Sequence, residues 1–234
     1  MRPIAGGTCS ICGERIISSY AFVAEGEARC GLCQQAEPPF AKAAAYGSYE
    51  GGLRELIHLL KYEQVRPAAN VLGRMLAEVI DDLASRFSGP VLVVPVPLSP
   101  RKLRQRSFNQ SELITRAALK LRNAECFVLA PAVLERCRET QSQTGLSRHQ
   151  RQENVRGAFA VAKPCDVTGG EILLVDDVFT TGTTVSECAR ILKRAGASKI
   201  WVATVARTLK ADAQFAPPEV EEEFEDAKAV AAGA

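Results

Sequence analysis

The chain has 234 residues, 47% of them hydrophobic and 24% charged, with 29 Lys+Arg against 27 Asp+Glu for a formal charge of +2. This is globular chemistry with a core of Val, Leu, Ile and Ala, and it excludes a chain disordered throughout. The longest run without a charge, Phe87 to Pro100, has 14 residues and four prolines; a spanning helix needs about 20 apolar residues, so no membrane insertion is expected.

In chain order, residues 1–36 are rich in Cys and Gly and show little periodicity. The stretch Met1–Gly13 holds no continuous apolar core of signal-peptide length. The expectation is a cytoplasmic chain whose eight cysteines are reduced or metal-bound rather than disulfide-paired. Pro38-Pro39 marks a boundary. Leu53, Leu56, Ile57 and Leu60 follow helical spacing, and a second helix is expected over Ala68–Arg86. The apolar run Val91–Val96 predicts a buried strand. Gln110–Arg122 reads as a helix with Leu113, Ile114, Ala117 and Leu121 on one face. Residues 136–156 are polar and without a strong period, with five arginines; the expectation is a long functional loop. A strand at Ile172–Asp176, a helix over Thr184–Ala195 and a strand at Ile200–Val205 make one βαβ unit, closed by Gly196. The expected domains are a cysteine module over 1–38, an α/β domain over 39–210 and an acidic, disordered tail over 211–234.

Charge is unevenly spread. The tail from Ala211 carries seven acids and one base, and residues 101–156 carry 12 bases against five acids. A concentrated basic segment points to an anionic partner such as phosphate, pyrophosphate or nucleic acid; the plainer alternative is a solvated face.

Cys9-Ser-Ile-Cys12 and Cys30-Gly-Leu-Cys33 form C-x₂-C-x₁₇-C-x₂-C, a spacing within the four-cysteine zinc pattern. Each pair offers two thiolates from one knuckle, and Gly13 and Gly31 would allow the turns. Four ligands leave no open position, so the Zn²⁺ would be structural; the alternative is two redox dithiols. Cys126, Cys137, Cys165 and Cys188 lack partners at ligand spacing and read as small hydrophobes.

Residues 172–184 read Ile-Leu-Leu-Val-Asp-Asp-Val-Phe-Thr-Thr-Gly-Thr-Thr. A buried strand delivers Asp176 and Asp177 to the carboxyl edge of a parallel sheet, where ligands bind in such folds. Backbone N–H groups and hydroxyls of Thr180, Thr181, Thr183 and Thr184, at a helix N-terminus, suit a phosphate group, and Gly182 allows close approach. The acids can accept hydrogen bonds from sugar hydroxyls. The plainer alternative is a capped helix after a strand.

This stretch resembles the signature of the type I phosphoribosyltransferases, which bind phosphoribosyl pyrophosphate (PRPP). The resemblance implies a Rossmann-type parallel sheet with helices on both faces. It places Asp176 and Asp177 on the ribose 2′ and 3′ hydroxyls, and Thr180, Thr181, Gly182, Thr183 and Thr184 on the 5′-phosphate. Mg²⁺ would be held chiefly by ligand oxygens. Val94-Pro95-Val96-Pro97-Leu98-Ser99-Pro100, Arg106-Ser107-Phe108-Asn109-Gln110, Gln143, Leu146-Ser147-Arg148, Arg151, Asn154 and Gly157-Ala158-Phe159 narrow the resemblance to the ComF family. In that family a small, zinc-ribbon-like four-cysteine module precedes a phosphoribosyltransferase-like domain. The family shows Arg-Gly-Phe-Asn-Gln where Ser107 stands here, and a glycine soon after Lys61-Tyr62 where this chain has Glu63-Gln64-Val65. The family association implies DNA uptake and natural transformation, with a helicase-like competence ATPase and single-stranded DNA as candidate partners.

In PRPP chemistry an oxocarbenium-like centre develops as pyrophosphate leaves, and the protein positions the reactants and stabilises the departing charge. Arg101, Lys102, Arg104 and Arg106 follow the Val91–Val96 strand and are candidates for a pyrophosphate loop, with Arg106 a candidate catalytic group beside Asp176 and Asp177. Residues 136–156 would close over the site, with Arg148 and Arg151 as contacts, and Lys61 is a further anion-binding candidate. His58 and His149 belong to no Ser-His-Asp or Cys-His arrangement, and there is no Walker motif. Three readings follow: a ComF-type PRPP-binding protein in DNA uptake, a nucleobase or amine phosphoribosyltransferase, and a non-catalytic single-stranded-DNA adaptor.

Overall fold

The structure, a computed structural model, describes residues 7–16, 23–24, 27–122, 125–140, 147–162 and 167–209. Gln143, Leu146, Cys165 and the acidic tail lie outside the described residues. The elements are β1 (Val23–Ala24), β2 (Glu27–Ala28), α1 (Gly31–Gln35), β3 (Lys42–Ser48), α2 (Gly51–Lys61), α3 (Ala68–Ala84), β4 (Val91–Pro95), α4 (Pro100–Arg106), α5 (Gln110–Leu119), β5 (Phe127–Leu129), β6 (Leu134–Arg136), α6 (Arg148–Val155), β7 (Phe159–Val161), β8 (Glu171–Phe179), α7 (Thr183–Arg194) and β9 (Lys199–Arg207).

Five strands form one sheet in the order β3-β9-β8-β4-β5, every pairing parallel. A parallel sheet buried on both faces needs continuous apolar strands, and Ile172 through Val175 of β8 are all completely buried. Successive side chains divide between two cores. Leu173, Val175, Trp201, Ala203 and Val205 pack with α2, α3 and α5. Ile172, Leu174, Ile200 and Val202 pack with α7 and with Cys9, Ile11, Cys12, Cys30 and Cys33 of the N-terminal module. Helices thus cover both faces, and the cysteine module covers part of one. The chain leaves β4 toward β5 but leaves β8 toward β9, so the strand order reverses between β4 and β8. At such a switch point the carboxyl ends of two strands diverge and leave a crevice.

Three expectations change. First, β8 runs three residues past Asp176, to Phe179, because β9 stays paired with it as far as Arg207. Second, residues 136–156 are not a structureless loop throughout. Residues 148–155 form α6, started by a capping box in which the Ser147 hydroxyl accepts from the Gln150 N–H and the Gln150 side chain accepts from the Ser147 N–H. That local pair nucleates a helix whose apolar period is too weak to see. Third, Arg101, Lys102, Arg104 and Arg106 lie on a short helix, not a loop, because Ser99 caps it and Pro100 opens it.

Candidate functional site

The four cysteines of the double knuckle are buried, and their sulfurs all lie within 4.8 Å of one another. Cys12 Sγ is 3.6 Å from Cys30 Sγ. Tetrahedral Zn–S bonds of about 2.3 Å require sulfur separations of about 3.8 Å, so the donor set fits a tetrahedral thiophilic ion. The cluster can hold a metal ion, and no disulfide joins the cysteines among the described residues. The Cys9 thiol is held far below its usual range by Cys12 and Cys33 donors, and Cys33 is pushed far above it by the same crowding. Gly13 takes φ +73 at the first knuckle; Gly31 instead opens α1 without left-handed backbone. The other cysteines divide. Cys188 is buried as a small hydrophobe, whereas Cys126 and Cys137 are exposed.

Asp176 and Asp177 lie near the end of β8 and find different partners. Lys61, the last residue of α2, pairs with Asp177 at 2.5 Å. Burial works against both charges, but each outweighs the cost for the other: Lys61 sits above its ordinary pKa and Asp177 below the usual carboxylate range. Asp176 accepts the Ser111 hydroxyl of α5 at 3.0 Å and the Asp177 N–H at 2.9 Å. Burial, with the Asp177 charge beside it, raises Asp176 to about 8. The two acids are therefore not equivalent, one committed as a carboxylate and the other poised near neutrality.

Beyond the acids, Thr180 is exposed and Thr181 and Thr183 share a hydroxyl hydrogen bond of 2.6 Å. Gly182 holds φ +74 and is the N-cap of α7, offering no side chain to its first turn. A Cβ there would come within 2.5 Å of the Phe179 ring, so close packing as well as the left-handed backbone requires glycine. The Arg151 guanidinium of α6 reaches the Thr180 hydroxyl at 3.4 Å.

Of the basic candidates, the fold brings three to the acids and the turn: Lys61, Arg106 and Arg151. Arg106 is 8% exposed, donates to Gln110 at 3.0 Å, lies over Tyr62 at 5.2 Å and bears electrostatically on Asp177. Arg101 and Arg104 are exposed on α4 and Lys102 is half-buried. Arg148 opens α6. Three positions went unnoticed in the sequence. Ser111 orients Asp176; Arg136, at the end of β6, lies near enough to feel the Asp176 charge; Arg207 joins the cysteine module to β9. None stands in a recognisable spacing, since each acts across the fold.

Comparison with known proteins matches residues 123–219 to the phosphoribosyl transferase domain. The DNA utilization protein YhgH of Escherichia coli K12 is 35% identical over 214 residues, covering 87% of this chain and 91% of that protein. Competence protein F of Haemophilus influenzae is 29% identical over 213 residues, covering 86% and 90%. This chain belongs to the ComF family. Among solved structures, the B. subtilis glutamine PRPP amidotransferase is 22% identical, covering 60% of this chain and 26% of that one, with a TM-score of 0.38.

The ComF motifs now have physical meanings. In Arg106-Ser107-Phe108-Asn109-Gln110, Asn109 caps α5 by accepting the Ser111 N–H and ties it to the residue after β4 by donating to the Val96 carbonyl, while Gln110 holds Arg106. The two departures from the ComF pattern, Gln64 and Ser107, are the two described non-glycine residues with positive φ, +56 and +61. Left-handed backbone is where a glycine costs least.

Proposed function

We propose that this chain binds PRPP with Mg²⁺ at Asp176–Thr184 and acts in DNA uptake or utilization, with Zn²⁺ in the cysteine cluster. The carrying observation is the convergence, at one sheet switch point, of two inequivalent acids, a threonine turn at a helix start, and Lys61, Arg106 and Arg151. In this reading Asp176 and Asp177 accept the ribose 2′ and 3′ hydroxyls. Thr180, Thr181, Gly182, Thr183 and Thr184 hold the 5′-phosphate, and Arg106 and Arg151 serve the pyrophosphate, with Arg101, Lys102 and Arg148 as further candidates. Two carboxylates are too few for an all-protein Mg²⁺ cage, so the ion would arrive with the ligand's oxygens and neutralise pyrophosphate charge. The names of the relatives support the DNA role, and the exposed Arg101 and Arg104 of α4 offer cations to the phosphates of a single strand. Action inside the cell with a helicase-like ATPase belongs to the same reading, as does a residue division into module, domain and tail at 38 and 210.

Calorimetry with PRPP and Mg²⁺ tests it. The expected result is saturable micromolar binding that falls at least ~30-fold in Asp176→Asn, a variant that keeps both hydrogen bonds to Asp176. Equal affinity in that variant overturns the site. Absence of binding to an intact chain, with steeply salt-dependent single-strand affinity, favours the adaptor reading.

A further inference from the structure

Two side chains stand between the first cysteine knuckle and the Thr180–Thr184 turn. Arg207, the last residue of β9, is 3% exposed. Its guanidinium donates to the Cys12 carbonyl at 2.5 Å and to the Glu14 carboxylate at 2.9 Å, and lies 3.8 Å from Cys12 Sγ. The same group lies over the Phe179 ring, 4.4 Å from its centroid. Phe179 ends β8, meets Phe40 edge-on at 6.2 Å and fills the space beside Gly182. Its carbonyl accepts the Thr208 N–H at 3.0 Å.

The acceptors of Arg207 all belong to the loop that carries Cys9 and Cys12, so closure of that knuckle on a metal would fix their places. A buried guanidinium without acceptors is costly and moves. When it moves, Phe179 loses the face that holds it against Gly182, and the left-handed entry to α7 loses its wall. We infer that Arg207 is a positioning residue coupling metal loading of the cysteine cluster to the shape of the Thr180–Thr184 turn, so that metal and anionic ligand each favour the other's binding. The ligand half of this rests on the PRPP reading; the link between cluster and turn does not.

The test uses the full, zinc-loaded chain and Arg207→Lys, which keeps the charge for Glu14 but cannot lie flat on a ring. Zinc should stay at one per chain. The Ser186 and Thr208 amides, bonded to the Gly182 and Phe179 carbonyls, should exchange about tenfold faster, as expected for losing a buried cation–π contact, while α3 amides stay unchanged. In the wild type, saturating PRPP with Mg²⁺ should slow zinc transfer to a chelator several-fold, and Arg207→Lys should lose that protection, as reciprocal coupling requires. A zinc-retaining Arg207→Lys with both amides within twofold of wild type overturns the inference, as does wild-type PRPP binding that leaves zinc release unchanged. If Arg207→Lys sheds zinc, Phe179→Leu, which removes no hydrogen bond to the cysteine loop, faces the same two outcomes. If the wild type binds no PRPP, the PRPP reading fails and the exchange comparison still decides the role of Arg207.

Discussion

The cysteine cluster and the Asp176–Thr184 region are both small polar constellations set into apolar surroundings, yet they are built in opposite ways. The cluster draws all four sulfurs from 25 consecutive positions, Cys9 to Cys33, and its geometry follows from two tight knuckles. The second region borrows Lys61 from α2, Arg106 from α4, Ser111 from α5 and Arg151 from α6. The difference teaches that a metal can organise a local segment with little core of its own, whereas buried charges facing an open crevice need a whole domain to pair them.

Breaking the local constellation should have the largest effect. Cys9→Ser with Cys12→Ser should release zinc, expose residues 1–36 to protease and cost ~5 kcal/mol or more of stability, measured by metal analysis, limited proteolysis and denaturation. Unchanged metal content would remove the zinc assignment.

The assembled constellation should break next. Lys61→Met leaves Asp177 buried and unpaired and should cost about 3–5 kcal/mol, whereas Lys61→Met with Asp177→Asn should recover much of it. A denaturant double-mutant cycle checks this, and strict additivity would deny the pair its role. Gly182→Ala combines a left-handed backbone with overlap on Phe179 and should cost about 2–4 kcal/mol, part of it regained when Phe179→Leu is added.

A smaller effect separates the two acids. Because folding raises Asp176 to about 8, the native state binds a proton that the unfolded chain releases near pH 4, so this group lowers stability as pH climbs from about 4 to 8. Asp176→Asn should match wild type near pH 4 and exceed it by a margin that grows as the pH rises toward 8. A gap that stays constant with pH would mean that Asp176 titrates normally. Smallest of all, Ser107→Gly should relieve the positive φ and stabilise by up to ~1 kcal/mol, read as a shift in melting temperature.

Much of this protein could be read without coordinates. Local spacing sufficed for the two knuckles, for the apolar runs of β4, β8 and β9, and for the acids followed by the Thr-Gly turn, because each rests on neighbours within a few residues. Helix α6 escaped notice because a capping box, not periodicity, begins it, and helix α4 because seven residues (Pro100–Arg106) are too few to show a period. Tertiary structure alone decided that Lys61 neutralises Asp177 while Ser111 serves Asp176, that Arg106 is buried while Arg101 is exposed, and that Arg207 stands between the cysteines and Phe179. Those relations join residues as much as 195 positions apart, as between Cys12 and Arg207. No sequence period records them; they exist only once the sheet has brought its strand ends to one edge.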